Sequence, residues 1–366
     1  GFQNAVRNVQ MLDANQYRML MNEGARNAGL TEPFDLNEIP LHNTDWQDEL
    51  FVRNAPMFNH DVSISGGTER STYASSLSYF NQQGIIGGDR SQFTRLTARL
   101  NTTHQVNDWF NFGNILAYSH IRSRGIASNA AFNAAYGSAL NLDPLTPVFE
   151  TNENILNAAP FSNQPVVRNS EGLYYGISRH VGAEIVNPLA LLELQTGRTG
   201  VDKLVGNVYG EVEFIEGLKF RTTGGIDLAY VTNDGFQPLF FLNSAQLNTE
   251  RTSVSKGVNR YFTWDWQNTL SFTREIEGHN ISLLAGVSAR KFNFENLFGS
   301  NTMVPTDDPD HVYLDMALDT LWQSWGGASH AALMSQFGRI CYDFERRYAL
   351  NVTLRRDGSS RFGAGN

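Results

Sequence analysis

The sequence predicts an all-β fold, a transmembrane antiparallel barrel segment, on three observations. Polar and apolar residues alternate over long stretches, short and long connections follow one another along the chain, and the composition admits neither disorder nor a membrane helix. Of the 366 residues, 41% are hydrophobic, 12% aromatic and only 18% charged, below the roughly 25% charged content of an average soluble domain. A disordered chain carries the opposite signature, low hydrophobicity with high charge. No window reaches the roughly 18 consecutive apolar residues that a spanning helix needs. Barrel strands alternate and never build such runs, so a mainly β protein, soluble or in a membrane, survives.

Strict alternation is the strongest signal. Leu218, Phe220, Thr222, Gly224, Ile226, Leu228 and Tyr230 share one parity, while Lys219, Arg221, Thr223, Gly225, Asp227 and Ala229 share the other. The same split separates Leu96, Ala98 and Leu100 from Arg95 and Arg99, and Tyr348, Leu350, Val352 and Leu354 from Asn351, Thr353 and Arg355. It recurs in Leu204, Val208 and Val212 against Glu211 and Glu213, and in Phe262, Trp264, Trp266, Leu270 and Phe272 against Thr263, Asp265 and Gln267. These stretches run for about ten to thirteen residues, whereas soluble strands run about five or six. About ten strands are predicted, at 58–66, 71–80, 93–104, 110–122, 202–215, 218–232, 258–274, 280–294, 333–344 and 347–357.

Connections support the barrel. Short polar links at Val106–Trp109, Glu216–Gly217, Glu275–Asn280 and Glu345–Arg347 alternate with long ones at 123–200, 232–257 and 296–332. That is the wiring of an outer-membrane barrel, with tight periplasmic turns and extended outer loops. Aromatic residues gather beside the short turns, among them Trp109, Phe110, Phe112, Phe214, Phe272, Tyr342, Phe344 and Tyr348, as in a headgroup-level girdle. A soluble sandwich core also alternates and collects aromatics; the loop parity favours the barrel. Helices are expected at Asp13–Ala28, with Asp13 near its N-cap and Gly29 as its stop, and at Asn129–Leu142 and Pro188–Leu194.

Several functions are excluded or left without support. The 37 acidic against 28 basic residues lack the basic face of a nucleic-acid binder. A single cysteine, Cys341, cannot form a disulfide within the chain and reads as a packing residue. Gly1 begins no signal peptide, so the chain reads as processed or as a piece of a longer one. None of the eight histidines stands in a His-Glu-x-x-His pattern, and no Gly-x-Ser-x-Gly elbow occurs. The glycines of 84–91 lack the Lys-Ser/Thr ending of a phosphate loop and suit a hairpin. The expectation is therefore a protein that is not an enzyme: any two acids can meet in a fold to act on a glycoside, but nothing in the sequence singles out a pair.

A family resemblance enters on particular residues. Ser63-Ile64-Ser65-Gly66-Gly67, then Tyr73 to Ile86, Phe93 and Arg95 to Asn101, resemble the first barrel strands of SusC/RagA-type TonB-dependent transporters of Bacteroidota. The likeness extends to Leu12–Tyr17, Asn43–Phe51, Gly338–Ile340, Tyr348–Leu350 and Arg355–Gly363. It implies an outer-membrane barrel of about 22 strands filled by a plug, of which this chain would hold the second to the eleventh strand, with Gly1–Asn4 at the outer tip of the first. Residues 1–57 would then be an outer loop and helical segment, and 58–366 barrel strands and loops. The plug and the TonB contact would precede Gly1. The implied function is TonB-dependent import of bulky nutrients, oligosaccharides or peptides, with a SusD-like surface lipoprotein as partner. A soluble β-sandwich carbohydrate-binding or hydrolase module and a passive porin are the alternatives.

Candidate sites follow from that arrangement. Arg95, Arg99, Glu211, Glu213, Lys219, Arg221, Asp227, Arg339, Asp343 and Arg355 have the parity of a lumen face, which would hold a plug and line a solute path. Tyr174, Tyr175, Phe236, Phe240, Phe241, Trp322 and Trp325 fall in the long links, where exposed rings stack on sugars or dock a partner, or else pack on one another. Asp307, Asp308 and Asp310 place three carboxylates within four residues, the donor set of a calcium ion but without EF-hand spacing, so an acidic turn is the simpler account. No other cofactor is expected.

Overall fold

Alternating stretches satisfy their backbone only by pairing with neighbours, and in the computed structural model each pairs with the next. The structure describes residues 1–126, 134–306, 308–309 and 311–363. One antiparallel sheet runs β1 (Phe2–Gln3), β2 (Ala55–Gly67), β3 (Ser71–Gly84), β4 (Gly88–Asn107), β5 (Phe110–Arg124), β6 (Arg198–Ile215), β7 (Leu218–Gln237), β10 (Ser253–Ile276), β11 (His279–Thr302), β12 (Gln323–Phe344) and β13 (Tyr348–Ser359), in that spatial order. The other two strands, β8 (Phe240–Phe241) and β9 (Leu247–Asn248), form a small hairpin in the loop between β7 and β10. A sandwich needs two sheets packed face to face. Among the described residues the only second sheet is that hairpin, and a single meander with uncovered faces is a barrel wall.

Residues directly opposite in an antiparallel ladder share a face, so register carries the two faces across the whole sheet. One face runs through Arg99, Ala117, Val205, Asp227, Thr263 and Phe292. The other runs through Leu77, Ala98, Tyr118, Leu204, Leu228 and Phe262, and lower down through Phe272, Leu283, Ile340 and Val352. The second face is apolar and stays uncovered: Val62 is 72% and Leu354 75% exposed. In water this would be a costly surface; against hydrocarbon it is the expected one.

The strands are longer than alternation alone suggests. β10 and β11 each span 24 residues, whereas about 9–11 tilted residues cross a bilayer. Their upper parts carry ion pairs on the otherwise apolar face, Arg260 with Glu295 at 3.2 Å and Lys256 with Asp234 at 2.9 Å, which marks where that face leaves hydrocarbon. The expected loops shrink accordingly to 125–197, 238–252 and 303–322. Phe236 and Trp325 consequently lie within strands, and β2 starts at Ala55 rather than at 58. At the opposite end β10 and β11 meet in a two-residue turn with Glu277 at φ 49° and Gly278 at φ 84°, the positive dihedrals of the turn that matches strand twist.

Helices collect at the long-loop end. α1 (Ala14–Asn27) starts where expected, the Asp13 carboxylate accepting from the Gln16 amide at 2.8 Å while the Gln16 side chain accepts from the Asp13 amide at 3.1 Å. Gly29, at φ 71°, turns the chain away. α2 (Trp46–Leu50), capped by Asp45, α3 (Ala135–Asn141) and α5 (Pro188–Glu193) share a core of Trp46, Leu50, Ala135, Ala139, Leu142 and Leu192. The first segment and the 125–197 loop thus pack as one body. Trp46 Nε1 fastens them by donating to the Asp143 carbonyl at 2.9 Å. The helix expected from Asn129 is observed from Ala135; residues 127–133 lie outside the described ones. α2 and the short α4 (Glu153–Leu156) were not expected. Cys341 is half-buried, its thiol directed at Asn351 across β12 and β13.

Candidate functional site

Ten charged residues singled out by parity fall on one face of the sheet. Register links Arg95 to Phe80 and Ile121, Arg99 to Ala117, Glu211 to Arg221, Glu213 to Lys219, and Asp227 to Val205 and Thr263. The same face continues through Leu284 to Arg339, through Asn280 to Asp343 and through Phe337 to Arg355. Many of these charges are neutralised along the face itself. Lys219 lies 3.4 Å from Glu213 and 3.9 Å from Glu211, Arg221 lies 3.7 Å from Glu211, and Lys203 lies 3.2 Å from Asp227. The Arg221 guanidinium also sits 3.7 Å from the centre of the Tyr209 ring, and Arg95 5.7 Å from that of Phe80. Arg355 clasps Asp357 at 2.9 Å and Arg339 donates to Asn351 at 3.2 Å. Asp343 accepts from the Arg346 amide at 3.0 Å at the adjacent turn. Such a wall carries many charges but is nearly balanced in sign.

The seven loop aromatics divide by burial. Tyr175 is buried, packs at a tilt against Phe149 with ring centres 4.9 Å apart and donates its hydroxyl to Glu193 at 2.8 Å. Burial and the Glu193 carboxylate push its phenol well above the ordinary tyrosine value, so it stays a neutral donor. Glu193 in turn pairs with Arg90 of β4, tying α5 to the sheet. Phe236 is buried against Val254, Val304, Val312 and Ala317. Phe240 packs against the core of Val167, Val186 and Leu191, and Phe241 pairs with Leu247. These four hold loops together. Tyr174 is half-buried beneath the Arg168 guanidinium, 4.1 Å from its ring centre. Trp322 and Trp325 remain 54% exposed.

Of the three acidic residues Asp307, Asp308 and Asp310, the structure describes Asp308. Asp308 accepts from His311 at 2.6 Å; Asp307 and Asp310 lie outside the described residues. Among the described residues no three His, Cys, Asp or Glu side chains come together as a metal site.

Sequence reasoning missed the aromatic residues of the charged face. Tyr261, Phe294 and Phe298 share the parity of Asp227 and Arg339 through the ladders of β10 and β11. Phe298 stacks on Trp325 with ring centres 4.0 Å apart, and Tyr261 lies tilted against Phe294 with ring centres 5.0 Å apart. Their parity is present in the sequence, but it is masked by the adjacent Phe262 and Trp264 of the other face and, for Phe298, by the loss of alternation beyond 296.

No family model matches the sequence. Among curated proteins the chain is 28% identical to TonB-dependent receptor P3 of Formosa agariphila, over 88% of this chain and 30% of that protein. It is 26% identical to TonB-dependent receptor SusC of Bacteroides thetaiotaomicron, over 100% of this chain and 34% of that one. The chain therefore spans about a third of the length of these relatives. Among solved structures it superposes on the RagAB peptide transporter with a TM-score of 0.72 at 22% identity, covering 91% of this chain and 34% of that one. With the RagAB peptide importer in its closed-closed state the TM-score is 0.73 at 20% identity, covering 99% and 38%. These proteins are receptors and transporters, not enzymes, and the shared fold is an outer-membrane barrel wall.

Proposed function

We infer, for a chain that is a segment of a SusC/RagA-type TonB-dependent outer-membrane transporter, that its charged face lines the lumen of the complete barrel and its apolar face meets lipid. The observation that carries this is the register, continuous through these residues, that puts Arg95, Arg99, Glu211, Glu213, Lys219, Arg221, Asp227, Arg339, Asp343 and Arg355 on one side and Val62, Leu228 and Leu354 on the other. Paired charges suit a wall that slides past a plug and bulky polar cargo, because a balanced face holds neither by net charge.

The complete protein imports bulky nutrients, oligosaccharides or peptides, across the outer membrane with energy from TonB. A SusD-like surface lipoprotein docks on the long-loop end, where α1, α2, α3 and α5 form a built platform. The relatives' names, TonB-dependent receptor SusC and the RagAB peptide importer, support the energy coupling and the two-component assembly. Tyr174, Trp322 and Trp325 are the loop-end rings with exposed surface for partner or cargo. Uptake by cells expressing the full-length protein is the test. It should fall to background when TonB is removed; uptake that persists without TonB would make the barrel a passive porin.

A further inference from the structure

Three adjacent rungs near the loop end of the charged face carry rings and amides where the rungs below carry ions. In the uppermost, Trp325 pairs with Phe298, Phe298 with Gly257 and Gly257 with Asn233. The next aligns Gly327, Asn296 and Asn259, and the third Ser329, Phe294 and Tyr261. Within the pairs Trp325 stacks on Phe298 and Tyr261 lies tilted against Phe294, yet Trp325 stays 54% and Tyr261 38% exposed. Their outward surfaces are uncovered. Asn259 and Asn296 have no side-chain hydrogen-bond partner among the described residues. Gly327 keeps the wall low beside them, since a Cβ there would stand 3.3 Å from Asn296 Oδ1. The nearest ions on this face, Lys203 and Asp227, neutralise each other. The described residues Val304, Val312 and Ala317 of the 303–322 loop pack on Phe236 and Val254, on the opposite face.

Flat rings flanked by unpaired amides, without net charge, match one ligand chemistry. A sugar ring presents C–H groups on one face for stacking and hydroxyls at its rim, and an amide both donates to and accepts from adjacent hydroxyls. A peptide's termini and charged side chains would find no counter-ion there. Resting on the lumen-facing reading of this wall, we propose that Trp325, Phe298, Tyr261, Phe294, Asn259 and Asn296 form a stacking site for neutral oligosaccharides at the mouth of the barrel.

The full-length transporter, extracted from membranes, is probed on a printed array of neutral oligosaccharides, and the strongest binder is titrated calorimetrically. Trp325→Ala and Tyr261→Ala should each weaken it about tenfold, and Trp325→Phe should keep most of the affinity. Should an alanine variant fail to assemble, Trp325→Leu or Tyr261→Leu, which keeps bulk and loses the flat ring, replaces it with the same expectation. An array on which no glycan binds, or variants within about twofold of wild type, overturns the site. The face is tested separately with a fluorophore on Asp227→Cys or Leu228→Cys in brominated lipid. Quenching at Asp227→Cys sinks the lumen reading; quenching at Leu228→Cys alone, without glycan binding, sinks the patch and spares that reading.

Discussion

Leu228 and Asp227 are chain neighbours whose substitution should have opposite consequences. Leu228 lies between Leu204 and Phe262 on the uncovered apolar face, so Leu228→Arg, if near mid-bilayer, should cost about 2 to 4 kcal/mol. Asp227→Asn removes only a half-exposed pairing with Lys203 and should cost about 1 kcal/mol or less. Equilibrium unfolding of the full-length protein in lipid vesicles measures both, and equal costs would contradict the two-faced wall. Asp319 provides a pH handle outside the membrane. Its carboxylate accepts from the Leu321 amide at 3.0 Å, from Thr302 at 2.7 Å and from Arg251 at 3.1 Å, which holds it below the ordinary aspartate value. A depressed carboxylate stabilises the fold fully above its unfolded value and loses that contribution as pH falls through the folded one. The base of the 303–322 loop should therefore become sensitive to an acid-active protease only at acid pH, and Asp319→Asn should make it sensitive at neutral pH. Parity was enough to place charged residues on a face. It could not separate Tyr175 and Phe236, which are buried, from Trp325, which is exposed, because an aromatic in a link reads the same whether it packs or binds.

At the scale of elements, local chemistry was legible where it is self-contained. Asp13 with Gln16, and Asn187 with Pro188, carry their own start signals, and α1 and α5 begin there. α2 has five residues and depends on Trp46 and Leu50 meeting Ala135 and Leu192, contacts distant in sequence. Strand ends were under-read for a related reason: above the bilayer the alternation of β10 to β12 breaks into ion pairs and glycines while the ladder continues. This alters how the 303–322 loop should be cut. Excising 296–332 would remove paired rungs from β11 and β12, whereas replacing 305–317 with a short linker leaves both strands whole. The shorter excision should weaken co-purification of the proposed lipoprotein partner, or nutrient-dependent growth, with barrel assembly intact. If both stay at wild-type level, the loop serves only to cover Phe236 and Val254.

At the scale of the molecule, alternation and loop parity revealed the architecture because a barrel wall repeats one pattern in every strand. The mouth was less legible, since its body is assembled from the 1–57 segment, the 125–197 loop and the 238–252 loop through contacts that no period announces. The sheet of this chain is a linear meander whose terminal strands do not pair with each other. Among the described residues β13 pairs on one side only, and on its outer side β2 meets β1 only at Ala55 and Pro56. In hydrocarbon each unpaired backbone group costs several kcal/mol, and in water the apolar face from Val62 to Leu354 has nothing among the described residues to cover it. Expressed by itself, this 366-residue chain should therefore aggregate from water and fail to insert stably into vesicles, while the complete protein inserts. Size-exclusion chromatography with circular dichroism reads the outcome. A monodisperse, β-rich, water-soluble monomer would mean that the apolar face finds cover within the chain, and that neither lipid nor further strands are needed to complete the fold.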